Sequence, residues 1–94
     1  MRKDTAQHIY TGLARIYEKS KKHDEALDVY AEAMTSMPGR VLFRVNAAEI
    51  LLRLQRYDEV TQLLADTRGQ DYVDSDQYAY ALQQISTKLS RLEQ

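Results

Sequence analysis

Apolar residues recur among polar ones along the first half of this chain with the spacing of amphipathic helices. In the first segment, apolar or small residues recur three or four positions apart until Ser20 interrupts them. The pattern restarts at Ala26 and stops before Pro38 and Gly39. Such spacing lines up apolar side chains on one helix face, so it predicts two successive helices. Their predicted core positions are Tyr10, Leu13, Ala14 and Tyr17 in the first, and Ala26, Leu27, Tyr30, Ala33, Met34 and Met37 in the second.

The second half of the chain predicts three more helices by the same periodicity. The turns between predicted helices are about three to seven residues long, and joints this short favour antiparallel neighbours. The apolar faces comprise Leu42, Ala47, Ala48, Leu51 and Leu54 in the third helix, Val60, Leu63, Leu64 and Thr67 in the fourth, and Tyr78, Ala81, Leu82, Ile85, Leu89 and Leu92 in the fifth.

Two adjacent acidic pairs, Asp24-Glu25 and Asp58-Glu59, stand just ahead of the second and fourth apolar patterns. Asp caps free backbone N–H groups, and negative charge suits the positive end of the helix dipole. Neighbouring residues on a helix do not face each other, so a shared acid–base site is disfavoured. We therefore interpret both pairs as helix starts, and we expect Ser75 or Asp76 to cap the fifth helix.

The chain also repeats itself, because residues 7–40 align with residues 41–74 at a period of 34. The first unit resembles the tetratricopeptide repeat (TPR), a helical hairpin of this length. The second unit departs from the pattern: Arg44 replaces the first aromatic residue, with Phe43 beside it, and Tyr72 replaces the proline. The resemblance in the first unit rests on Tyr10, Leu13-Ala14, Tyr17, Ala26, Tyr30, Ala33 and Pro38.

This resemblance implies an all-α fold in which antiparallel helix pairs stack as a short right-handed superhelix of five helices. We expect one domain over residues 1–94, with repeats at 7–40 and 41–74 and a family-type capping helix at 75–92. Repeat arrays need such a cap because each unit leaves an apolar face for the next. Two repeats are few for the family, so we expect a fragment of a longer array or a compact terminal domain.

Composition narrows the possible functions. The chain is 44% hydrophobic and 29% charged, with a net charge of −1, which is typical of a globular protein without a basic nucleic-acid surface. It has no cysteine, hence no disulfide framework, and no apolar run long enough to insert into a membrane. These properties do not fix a compartment, and the cytoplasm is our default expectation.

Catalytic and cofactor motifs are not recognisable. His8 and His23 do not form the paired spacing that a helical metal site needs, and Gly39 and Gly69 are isolated helix terminators rather than a phosphate loop. We therefore expect no enzymatic activity, no cofactor, no metal and no small-molecule substrate.

The family resemblance implies instead a concave groove, lined by the first helix of each pair, that holds a peptide or a partner protein. We expect a non-enzymatic interaction module within a larger protein or assembly. The expected groove residues lie off the core faces: Thr11, Arg15 and Lys19 in the first helix, Leu42, Val45, Asn46, Glu49 and Arg53 in the third, and Tyr80 and Gln83 in the fifth, with His8, Asp76 and Ala79 beside them.

One subtype and two alternatives can be weighed on these residues. TPR domains that clamp the C-terminal carboxylate of heat-shock chaperones share only Asn46 with this chain, and Asp76 would repel a carboxylate, so we reject that subtype. A divergent helical-repeat RNA binder, similar to the pentatricopeptide repeats, is one alternative, and salt-dependent binding would reveal it. The other alternative is a structural segment that associates with neighbouring repeats or with a second copy.

Overall fold

The structure of the chain is a computed structural model that describes residues 3–92, with side chains from residue 5 onward. This part of the chain contains five helices and no strand, which confirms the predicted all-α fold. The helices are α1 (Lys3–Lys19), α2 (His23–Ser36), α3 (Leu42–Arg53), α4 (Tyr57–Thr67) and α5 (Ser75–Leu92).

The helices belong to two compact units. Unit 1 ends at Pro38 and contains α1 and α2, and unit 2 begins at Gly39 and contains α3, α4 and α5. The division lies close to the boundary that the sequence period places between residues 40 and 41.

Unit 1 is a helical hairpin in which α1 packs against α2. Ala14, Ala26 and Ala33 are fully buried, and small side chains such as these let two helix backbones approach closely. Two tyrosine hydroxyls also link the helices. The Tyr30 hydroxyl donates to Oε2 of Glu18 at 3.2 Å, and the Tyr10 hydroxyl donates to Oγ of Ser36 at 3.0 Å.

One side of α1 is apolar yet exposed. Leu13 is 42% exposed, so its prediction as a core residue is wrong. The reason is the position of Ala14, which is the buried centre of the helix face toward α2; its neighbour Leu13 points about 100° away. Ile9 and Ile16 lie on the same exposed side as Leu13, at 51% and 62% exposure.

The turn after α1 is a Schellman motif. The N–H of Lys22 donates to the carbonyl of Tyr17 at 2.8 Å, and the N–H of Lys21 donates to the carbonyl of Glu18 at 3.0 Å. These two bonds satisfy carbonyls that the end of a helix otherwise leaves unpaired. Lys21 has a φ of 61°, in the left-handed region where glycine is normally preferred.

The same motif recurs 34 residues later, after α3. Arg56 N–H donates to the carbonyl of Leu51 at 2.9 Å, and Gln55 N–H donates to the carbonyl of Leu52 at 3.1 Å. Gln55 takes the left-handed position with a φ of 62°. The backbone therefore repeats at these turns even where the side chains differ.

The starts of α2 and α4 correct the capping expectation. Lys22 and Arg56 occupy the N-cap positions, and neither makes a side-chain capping hydrogen bond. The acidic pairs lie two and three positions after the N-cap, within the first turn, so they favour the helix dipole without being N-caps. At α4, Glu59 of that pair accepts two hydrogen bonds from the Arg56 guanidinium, at 2.9 and 2.7 Å.

In unit 2, α3 packs against α4 and α5, and α4 packs against α5. Phe43 is fully buried, as expected of the residue that supplies bulk beside Arg44. The Arg44 guanidinium lies over the ring of Tyr72, 5.7 Å from its centroid, in a cation–π arrangement. The buried residues of α3 are Leu42, Phe43, Val45, Ala47, Ala48, Ile50 and Leu51.

The segment before α5 is tied to the start of α3. The carboxylate of Asp74 is buried and accepts hydrogen bonds from the N–H groups of Val41 and Leu42, at 2.7 and 3.1 Å. The N–H of Val73 donates to the carbonyl of Gly39 at 2.9 Å. Asp74 thus caps a helix that begins more than thirty residues before it.

Ser75 and Asp76 lie inside α5, so the expectation that one of them precedes the helix as its cap is wrong. The carbonyl of Asp74 instead accepts from the N–H of Tyr78 at 3.3 Å, the first bond of α5. The Ser75 hydroxyl oxygen accepts from the N–H of Tyr72 at 2.9 Å and so orders the turn before the helix.

Candidate partner-binding groove

A surface groove of about 530 Å³ lies between α3 and α5 in unit 2. The helix periodicity explains which residues line it, because positions three or four apart share one face. From α3 these are Glu49, Leu52 and Arg53, and from α5 Tyr80, Ala81, Gln84, Ile85 and Lys88.

The groove has an apolar floor and a charged rim. Ile85 is buried, and Leu52 and Ala81 are half-buried, so these three offer apolar surface at the bottom. Tyr80 is 72% exposed, which leaves its ring accessible at the edge. Such a combination of apolar surface and few polar groups is typical of a recognition surface.

The rim carries two cations and one anion: Arg53, Lys88 and Glu49 are all exposed. The local balance is positive although the whole chain has a net charge of −1. Charges on a rim steer and orient a partner more than they add affinity. The arrangement therefore suits a segment that carries a carboxylate beside an apolar side chain.

Three of the expected groove residues come together here: Glu49, Arg53 and Tyr80. Leu42 and Val45 are buried, 8% and 2% exposed, so the structure does not support their expected place on an accessible surface. Asn46 is half-buried and does not line this groove.

Gln83 faces the other side of α5. It lines a second, smaller groove of about 240 Å³ between α4 and α5, together with Leu64, Thr67 and Leu82. The sequence prediction extended the face from Tyr80 by three residues, whereas the groove follows Tyr80 by four and eight, to Gln84 and Lys88.

The three expected residues of α1 lie in unit 1. Arg15 and Lys19 are exposed. Thr11 is half-buried, and its hydroxyl donates to the carbonyls of Gln7 and His8, at 3.1 and 3.2 Å, so it is already engaged within its own helix.

Sequence reasoning missed five groove residues, namely Leu52, Ala81, Gln84, Ile85 and Lys88. Ala81 and Ile85 were predicted as core, and in the structure they pack toward the core and also form part of the groove floor. Leu52 follows Glu49 by three positions, so the helical spacing was a signal that could have identified it.

A known protein family shares the repeated helix pairs described above. The model of the tetratricopeptide repeat family matches residues 17–85, which is most of the chain. The chain belongs to the tetratricopeptide repeat family. No curated protein and no solved structure matches it.

TPR repeats generally mediate protein–protein interaction, and the family is typically a non-enzymatic module. The family match runs from the end of α1 into α5 and so includes all of the α3 and α4 hairpin. No helix within residues 3–92 has both the length and the apolar character needed to cross a membrane. In the same part of the chain, no three His, Asp or Glu side chains are grouped to hold a metal ion.

Proposed function

We propose that this TPR chain is a non-enzymatic protein-interaction module whose α3/α5 groove binds a partner segment with a carboxylate next to an apolar side chain. The observation that carries the proposal is the apolar floor of Leu52, Ala81 and Ile85 between the exposed cations Arg53 and Lys88. The apolar side chain would bury against the floor, and the carboxylate would pair with the rim.

Tyr80 supports the same proposal. Exposing a large aromatic ring to water is unfavourable, and a partner that covers the Tyr80 ring would remove this cost. Tyrosine is also enriched among the residues that dominate binding energy. Glu49 at the opposite edge would disfavour a second carboxylate and so orient the segment.

A peptide-display selection followed by fluorescence polarisation tests this function. Peptides selected on the intact chain should be enriched in Asp or Glu next to Leu, Ile or Phe. The variant Arg53→Glu/Lys88→Glu should weaken their binding at least about tenfold, because two attractive contacts become repulsive. Arg68→Glu/Arg91→Glu makes the same change of net charge on exposed residues outside this groove, and it should bind as the parent does.

Two results would contradict the proposal. Equal loss of binding in both charge variants would mean that net charge, not this groove, attracts the peptide. Salt-sensitive binding to single-stranded RNA without any selected peptide would favour the RNA-binding alternative instead.

A further inference from the structure

The exposed apolar side of α1 is a second surface, and it is unexplained by the groove. Ile9, Leu13 and Ile16 follow one another by four and three positions, so they form a continuous stripe along the helix. Ser20 continues the stripe at its C-terminal end, and no charged residue interrupts it. We call Ile9, Leu13 and Ile16 the α1 stripe.

The second repeat buries the three positions that correspond to the α1 stripe. The residues 34 positions later are Phe43, Ala47 and Ile50, and they are 0%, 3% and 1% exposed. The same three positions are thus buried in the second repeat and open to solvent in the first. Three adjacent large apolar side chains on one helix face mark an interaction site more than isolated exposed residues do.

Gly12 adds an independent sign of close approach. It lies in the middle of α1, where glycine is less favourable than alanine. A Cβ built on it would meet no atom within 4 Å, so packing among the described residues does not require glycine there. A neighbouring helix packed along the stripe would use that missing side chain.

The spacing of the stripe suits a second copy of the same helix. Ile9, Leu13 and Ile16 take alternating d, a and d positions of a heptad, with Ala6 and Ser20 at the flanking a positions. Repeats of this kind let two parallel helices interlock their side chains about a two-fold axis.

The edges of the stripe carry opposite charges. One edge is formed by Gly12 and the exposed Lys19, seven positions apart. The other edge borders α2, on the side where Ser36 accepts a hydrogen bond from Tyr10. Glu25 and Glu32, exposed on α2 at helical spacing from Ser36, lie along that edge.

This charge pattern selects the orientation. A two-fold axis parallel to the helices places the Lys19 edge of one copy against the Glu25 edge of the other, at the same level of the hairpin, since α2 begins just after the α1 turn. An antiparallel pairing would instead bring the two Lys19 edges together and the two acidic edges together. We therefore propose that the α1 stripe is a homodimer interface in which α1 packs parallel to α1 of a second copy.

Sedimentation equilibrium of the intact chain over a wide concentration range tests the interface. We expect a monomer–dimer equilibrium, and Ile16→Glu should weaken it at least about 100-fold because each copy loses a buried side chain. Val73→Glu is the matched control: Val73 is 77% exposed in unit 2, and its replacement should leave the equilibrium unchanged. A strictly monomeric parent, or equal effects of the two substitutions, would overturn the proposal.

Two further measurements test the orientation. Lys19→Glu should weaken the dimer up to about tenfold, and Lys19→Glu/Glu25→Lys should restore it, because the pair is exchanged across the interface. The chain has no cysteine of its own, so Ile9→Cys gives a clean probe. Mild oxidation should link Ile9→Cys copies in a parallel dimer, while Thr35→Cys on the exposed side of α2 should remain unlinked. A dimer in which Ile9→Cys fails to cross-link would refute the parallel arrangement.

Discussion

Asp74 and Val41 are joined by a 2.7 Å hydrogen bond from the Val41 N–H to the Asp74 carboxylate. Val41 is the N-cap residue of α3 and has no capping side chain of its own. The second carboxylate oxygen accepts from Leu42 in the same way, at 3.1 Å. One buried acidic residue therefore satisfies two of the N–H groups that the start of α3 leaves unpaired.

Replacing Asp74 by Ala should lower the free energy of unfolding by about 1–3 kcal/mol, because two buried N–H groups lose their acceptor. Asp74→Asn keeps one acceptor oxygen and should cost less. Urea unfolding followed by circular dichroism measures both. Asp71→Ala changes an exposed carboxylate in the same segment and should shift stability by less than about 0.5 kcal/mol. Equal costs for Asp74→Ala and Asp71→Ala would show that the cap does not stabilise the fold.

Lys21→Gly should stabilise unit 1 by roughly 0.5–1 kcal/mol. Lys21 holds a left-handed φ that costs an L-residue energy but costs glycine little, and the gain exceeds the extra freedom of glycine in the unfolded chain. Ala31→Gly, at an exposed position within α2, is the control and should destabilise by about 1 kcal/mol. The two glycines should thus shift the unfolding midpoint in opposite directions, and a shift of the same sign would contradict the turn geometry.

Lys22→Ser should stabilise α2 by about 0.5–1 kcal/mol. Serine at this N-cap supplies the side-chain cap that α2 lacks, because its hydroxyl oxygen can accept from the backbone N–H of Glu25 three positions later. Arg56→Ser creates the same motif at α4 but removes the hydrogen-bonded pair between Arg56 and Glu59, which is partly exposed. Thermal unfolding should therefore show a smaller gain for Arg56→Ser than for Lys22→Ser. A larger gain at Arg56 would mean that its ion pair contributes nothing.

Tyr72→Phe should raise the free energy of unfolding by up to about 1 kcal/mol or leave it unchanged. The Tyr72 hydroxyl is buried without a hydrogen-bond partner, and its removal keeps the ring under Arg44. Tyr30→Phe is the matched comparison, because that buried hydroxyl donates to Glu18. We expect Tyr30→Phe to cost about 0.5–1.5 kcal/mol in the same urea titration. If Tyr72→Phe were the more costly of the two, the Tyr72 hydroxyl of the parent would have to make a hydrogen bond in solution.

Much of the local structure could be predicted from the sequence. Helical periodicity identified all five helices, and the fully buried Ala14, Ala26 and Ala33 were among its predicted core positions. Periodicity cannot tell which of two neighbouring apolar residues faces the core, and this explains the exposed Leu13. It also cannot place a helix start to within a residue, so the acidic pairs were taken for caps.

The groove was harder to predict, for two physical reasons. Groove residues are polar or apolar according to their place on the floor or the rim, so no single pattern of hydrophobicity identifies them. Gln83 and Gln84 carry the same side chain one position apart, and only the packing of α5 on α3 decides which of them lines the groove. Asp74 gave no signal either, because its partners are distant in sequence and are backbone atoms.

The capping of α3 by Asp74 also limits where the chain can be cut. Val41 and Asp74 are the first and last residues of the second sequence repeat, and the hydrogen bond between them makes each end of that repeat depend on the other. A fragment that stops short of Asp74 would leave α3 with an unprotected start. The two helices alone, cut where α4 ends at Thr67, are therefore too short a piece to express or transplant, and a graft of this hairpin into another scaffold should carry the chain at least through Asp74.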